Sequence, residues 1–282
     1  MLENLLMLVV LAALLVSSYI DLKSRKVPDW ISYGLIFAGL GLRLIDSISI
    51  SSYGPILYGI IGLAVTFALA LLMFYTGIWG GGDSKILMGL GAVIGLDKFT
   101  TISFLVLFIF ASFIVSGIYG IFYALYLASK HWKSFKMEFG EIRHKQNVRR
   151  ARIAAIISVI LSIILFFVLD HLYGLFIMLL AAMAYLTVQS WIFMKAIEKS
   201  CLINEKDVDD LVEGDWIVKV VIVKNKKICG PKELGLTKHQ IGLLKKYRIK
   251  KVIVKDGIPF VPSFLIAYLI SLFANAKLAM GF

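Results

Sequence analysis

The stretch 55–83, PILYGIIGLAVTFALALLMFYTGIWGGGD, runs without a charge until three glycines deliver it to an aspartate. A bilayer's hydrocarbon core is roughly 30 Å thick and needs about 20 consecutive apolar residues per helix, so 55–78 reads as a membrane-crossing helix. Working outward, similar apolar stretches fall near 4–20, 30–49, 84–97, 100–129, 153–169, 172–194 and 259–280. The expected fold is an all-α polytopic membrane protein with about eight transmembrane segments and a small cytoplasmic α/β insert before the last helix. Composition agrees, since 60% hydrophobic residues over 282 positions and a mean hydropathy of +0.87 exclude a single water-exposed globule.

The segment 84–97 is the shortest and carries Gly89, Gly91 and Gly95. It is expected to cross obliquely, to continue back through Gly82, or to dip partway into a protein-lined site. The first twenty residues open with Glu3 rather than a basic region, and no small-x-small cleavage site precedes the polar flank, so they are expected to remain as the first helix.

Orientation follows from the basic residues. With sides alternating at each span, 27 of the 30 Lys and Arg fall on one side, and only Arg43, Lys98 and Lys277 on the other. The positive-inside rule makes the first side cytoplasmic, which puts both termini outside and both Asp21 and Asp83 at the cytoplasmic face of a cell-membrane protein.

A net charge of +12 and the run HWKSFKMEFGEIRHKQNVRRAR at 131–152 invite a nucleic-acid reading. Lying between two hydrophobic spans, the run is explained by topology and by attraction to anionic lipid headgroups, and no zinc-finger spacing or RNA-binding aromatic motif accompanies it. The bilayer is therefore an expected partner and nucleic acid is not. Cys201 and Cys229 read as reduced thiols in one cytoplasmic segment, and the four scattered histidines form no ligand cluster; no metal and no cofactor is expected.

The main shift in composition comes at about residue 196. Apolar and β-branched residues concentrate in Trp216–Val223 and Lys251–Val254, and Thr237–Arg248 has helical spacing with Thr237 as its N-cap. Asp256-Gly257 signals a turn, after which Pro259 and Pro262 lead into the last helix. The organisation expected is a transmembrane core at 1–129 carrying both aspartates, a basic cytoplasmic loop at 130–152, a helix pair at 153–195, the α/β insert at 196–258 and a C-terminal helix at 259–282.

Asp21 and Asp83 carry the chemistry. A carboxylate at membrane depth or its rim is costly unless it is buried in protein, paired or working. Two close carboxyls do not easily both ionise; the pair then holds one proton, with one member able to activate water and the other to polarise a carbonyl. Helix packing has to bring Asp21, at the end of one span, to Asp83, at the start of another. Gly80, Gly81 and Gly82 would let an extended substrate backbone approach closely. A flexible turn or close helix packing explains a glycine run equally well, as capping explains a lone interfacial aspartate.

Taken jointly, Asp21 with Lys23, Arg25, Val27 and Pro28 (D-x5-VP), and the run Gly80-Gly81-Gly82-Asp83 with Lys85 (GGGDSK), resemble the type IV prepilin and preflagellin peptidases. The resemblance covers about the first 130 residues, and KDGIPFVPSFLIAYLI near the end is similar to archaeal-type members. It implies that Asp21 and Asp83 are a catalytic pair and that the substrate is a type IV pilin-like or archaellin precursor. Such a precursor would lose its short basic leader on the cytoplasmic side. Gly80, Gly81, Gly82 and Lys85 become candidate substrate-binding residues, although a boundary lysine is usually topological. Bifunctional bacterial relatives carry a cysteine-rich N-terminal segment and methylate the new N-terminus; this chain shows no such segment, so peptidase activity without methyl transfer is expected. Asp29 reads as the N-cap of the second span.

Two alternatives stand beside this reading. A presenilin-type protease would carry its first aspartate in a Tyr-Asp pair, whereas Ile20 separates Tyr19 from Asp21. A transporter or assembly scaffold would use the acids as a relay, against which both acids lie on one side and no basic residue is expected deep in the spans.

Overall fold

The computed structural model describes residues 2–96, 103–223, 226–231 and 235–279. Lys98, the first residues of the expected 100–129 span and the side chain of Lys277 lie outside the described residues. The helices are α1 (Leu2–Ser24), α2 (Asp29–Ser49), α3 (Gly54–Tyr75), α4 (Gly81–Ile94), α5 (Phe104–Lys130), α6 (Trp132–His144), α7 (Gln146–Val168), α8 (His171–Ile197), α9 (Lys238–Lys246) and α10 (Val261–Ala279). The strands are β1 (Ile203–Asp207), β2 (Trp216–Ile217), β3 (Val221–Val223), β4 (Lys226–Cys229) and β5 (Lys251–Lys255).

Among the described residues six helices, α1, α2, α3, α5, α7 and α8 with its extension to Leu202, are long and apolar enough to cross a membrane. The expected count of eight included two shorter helices. At 1.5 Å per residue, the 14 residues of α4 span about 21 Å, and the apolar stretch of α10 runs only from Val261 to Ala276. What α4 lacks in length it makes up in enclosure. Ile86, Leu87, Leu90, Ala92 and Val93 are all fully buried, because α1, α2 and α3 pack around it. Its glycines make this possible. A Cβ on Gly89 would lie 2.8 Å from Leu35 Cβ on α2, and one on Gly91 would run into Thr66 and the Gly62 carbonyl on α3. The glycines that made 84–97 doubtful as a span are thus contact points for neighbouring helices.

The chain forms two compact units, one of residues 1–122 with 257–282, the other of 123–256. In the first, α10 runs along α1. The Tyr268 hydroxyl donates to the Met7 carbonyl at 2.8 Å, and its ring meets Phe104 and Phe108 edge-on. Around this core, large side chains such as Leu8, Phe37, Phe110 and Phe122 point outward, as expected of faces solvated by lipid rather than water.

In the second unit, α7 and α8 pair as a hairpin, with Gly174 admitting the backbone of Phe166. Residues 130–152, expected as a loop, are largely helical. Phe135, Phe139 and Ile142 recur on one helical face of α6, and Phe135 packs against Phe193 of α8 at 5.4 Å. Their spacing was masked by the basic residues between them. After α8 a π-helical turn, Glu198–Leu202, carries the chain onward, with Glu198 bonded by Lys195 and Lys255. Beyond it β1, β5 and β2 form an antiparallel sheet in that order, and β3 pairs with β4. Val252 and Val254 alternate inward along β5 to meet Leu244 of α9. Thr237 caps α9, its hydroxyl accepting from the Gln240 N–H at 3.2 Å.

Candidate active site

Asp21 lies in the last turn of α1 and Asp83 in the first turn of α4, and the two helices pack together. Both side chains are buried, with residue exposures of 4% and 8%. Each is held by a main-chain donor through one oxygen. The Val261 N–H donates to Asp21 Oδ2 and the Gly80 N–H to Asp83 Oδ2, both at 3.1 Å. Arg25, one turn beyond Asp21 and in the left-handed region at φ 54°, supplies a nearby positive charge.

Two further contacts join the two motif halves. The first turn of α4 lies against Val27, so that a Cβ on Gly82 would stand 3.2 Å from Val27 Cβ. Lys85 Nζ meets Asp29 Oδ1 at 2.7 Å. Gly80 is extended, with φ −72° and ψ 167°, and ends the preceding segment. The glycine run is therefore the N-cap and first turn of α4, and Gly82 is there for close packing against Val27. Gly80 touches the Asp83 carboxyl, a Cβ on Gly81 would face Phe74, and Lys85 points to Asp29. The expected role of Asp29 as an N-cap is corrected: Pro28 occupies that position without a side-chain bond, and the Asp29 carboxylate turns to Lys85 instead.

Sequence reading missed two contributors. Arg43 of α2, counted only as a non-cytoplasmic charge, is 8% exposed and donates to the Val93 carbonyl at 3.1 Å and to the Ile94 carbonyl. It satisfies the C-terminal carbonyls of the helix that presents Asp83 at its other end. The second is the main chain at Val261, for which Pro259 and Pro262 gave the only local signal of a helix start. Among the described residues no group of three or more His, Cys, Asp or Glu could hold a metal ion.

The class of protein to which this arrangement is similar emerges from residues 8–121, which match the type IV leader peptidase family. The resemblance drawn from the two aspartate motifs is borne out over that region. Its relatives include the preflagellin peptidase of Methanococcus voltae, 42% identical over 84 residues, or 30% of this chain and 36% of that protein. That of Methanococcus maripaludis strain C6 is 37% identical over 81 residues, 29% and 35% of the two chains. For the preflagellin peptidase of Methanocaldococcus jannaschii the figures are 38% over 81 residues, 29% and 34%. The aligned part thus spans about a third of the length of each relative.

Proposed function

We propose that this protein is a membrane-embedded aspartic endopeptidase that removes the short basic leader of archaellin or type IV pilin-like precursors at the cytoplasmic face. The observation that carries the reading is the buried Asp21–Asp83 pair, drawn from two packed helices and anchored through one oxygen each. The family match over 8–121 and the archaeal preflagellin peptidases among its relatives support the substrate class. Eight crossings, six from the long helices and two from the shorter α4 and α10, are part of this proposal, as is cleavage without methyl transfer.

In the reaction the ionised aspartate takes a proton from water as the water oxygen attacks the scissile carbonyl carbon. The protonated aspartate gives its proton to the carbonyl oxygen, so a neutral tetrahedral intermediate forms. Collapse breaks the C–N bond as the first aspartate passes its proton to the leaving nitrogen. The second recovers a proton from the hydroxyl, leaving the new carboxyl and amine. Burial excludes bulk water and strengthens each of these interactions. Gly80 and Gly81 would offer main chain for close approach of an extended leader, with Gly82 holding the turn against Val27 and Lys85 held by Asp29.

Asp21→Asn and Asp83→Asn should each abolish leader removal in detergent while preserving membrane insertion and elution profile, because the amide cannot exchange the proton. Asp29→Asn should keep turnover within about threefold of wild type, as expected for the loss of an exposed ion pair. Near-normal cleavage by either of the first two variants would overturn the two-aspartate mechanism.

A further inference from the structure

The first turn of α10 touches the supports of both aspartates. Its Val261 N–H donates to Asp21 Oδ2, 240 positions earlier in the chain, and Val261 is fully buried. One turn on, the Phe264 ring meets Trp79 edge-on, with centroids 5.2 Å apart and planes at 80°. Trp79 immediately precedes Gly80, whose N–H holds Asp83. Trp79 also stacks on Phe113 of α5, with centroids 5.5 Å apart.

This turn is itself tied down. The Ser263 hydroxyl lies 2.6 Å from that of Ser116 on α5 and donates to the Phe260 carbonyl, and the Tyr268 hydroxyl fastens the next turn to Met7 of α1. Side chains in such a packed site sit in fixed rotamers, so a displacement of α10 reaches the groups it touches. Nothing in the 8–121 family match includes this helix.

We propose that the first turn of α10, Val261–Phe264, is a positioning element for the paired carboxyls: Val261 orients Asp21 through its N–H, and Phe264 sets the Gly80–Asp83 turn through Trp79. The inference rests on the aspartic peptidase reading above. An anchored Oδ2 on each aspartate fixes the carboxyl plane and directs Oδ1 toward the reacting atoms. The gain belongs to the chemical step rather than to leader binding, because the contacts are made to the carboxyls and their supports.

Val261→Pro tests the first contact directly. Proline is well suited to the first helical position, so it removes the N–H while keeping the helix start, and Val261→Ala controls for the lost side chain. Full-length variants are purified in detergent and assayed on a precursor whose basic leader precedes an apolar helix. The result expected for Val261→Pro is a fall in kcat of about 10- to 100-fold, the effect of losing a hydrogen bond to a charged group, with KM within about twofold. Val261→Ala should stay within about threefold of wild type.

Turnover of Val261→Pro matching that of Val261→Ala, or a change in KM alone, would overturn the proposal. Should Val261→Pro elute as aggregate, Trp79→Leu against Trp79→Phe decides. The leucine variant is expected to lose kcat and the phenylalanine variant, which keeps a ring for Phe264, to recover most of it; equal kcat in the two overturns the proposal. The Asp21→Asn and Asp83→Asn variants run alongside. If both are inactive while Val261→Pro is normal, only the positioning role falls. If either is active, the peptidase mechanism itself falls.

Discussion

Arg43 closes one end of the helix whose other end carries Asp83. Its guanidinium takes the carbonyls of Val93 and Ile94, which no α-helix can satisfy internally at its last turn, and adds positive charge where the helix dipole is negative. Arg43→Met should therefore lower stability by about 2–4 kcal/mol, the cost of leaving buried acceptors without a charged donor. Arg43→Lys should recover only part of this, since an ammonium cannot reproduce the planar fork. Thermal midpoints in one detergent measure both, and equal midpoints for Arg43→Met and wild type would refute the capping role. This residue was illegible in the sequence because its partners lie fifty positions away and a hydropathy window averages a single arginine into its apolar surroundings. Thr237 was legible, since a capping box is complete within four residues. Asp29 looked equally local, but Lys85 from α4 competes for its carboxylate and wins.

At the scale of elements, α4 owes its place to glycine on three helices. Gly62 of α3 and Gly39 of α2 face Gly91, Gly95 and Val93 so closely that backbone stands where a Cβ would go. Gly91→Ala should destabilise the protein by about 1–3 kcal/mol through overpacking, despite the better intrinsic helix propensity of alanine. Gly117→Ala is the matched control on α5: it is exposed, nothing lies within 4 Å of an added Cβ, and the change should be neutral or slightly stabilising. Chemical or thermal denaturation in detergent checks the pair, and equal stability for the two would show that the helices yield at Gly91. The glycines themselves were plain in the sequence, but whether they mark a turn, a kink or a contact depends on what faces them. The strands show the same limit. The apolar run Trp216–Val223 drew attention as one unit, yet β2 and β3 join different sheets, and β1, with the sequence INEKD, carries no alternating apolar signal at all.

For the whole molecule, the long apolar runs and the burial of both aspartates were readable because membrane solvation and the buried carboxyl impose strong, local demands on sequence. Sidedness rests on the charge partition alone, and it yields the most direct test. The native Cys201 and Cys229 are both buried, so an exposed cysteine added elsewhere reports its own surroundings without first removing them. Ser52, exposed in the turn between α2 and α3, belongs outside in the proposed topology; Lys238, with its side chain 85% exposed at the start of α9, belongs in the cytoplasm. A membrane-impermeant maleimide applied to intact cells should label Ser52→Cys and leave Lys238→Cys untouched until the membrane is permeabilised. Both variants must cleave precursor normally, which restricts the result to correctly inserted protein. Labelling of Lys238→Cys in intact cells with Ser52→Cys protected would invert the molecule. The aspartate pair would then face outward, and the proposed leader removal would have to occur on the far side of the membrane from where precursors are made.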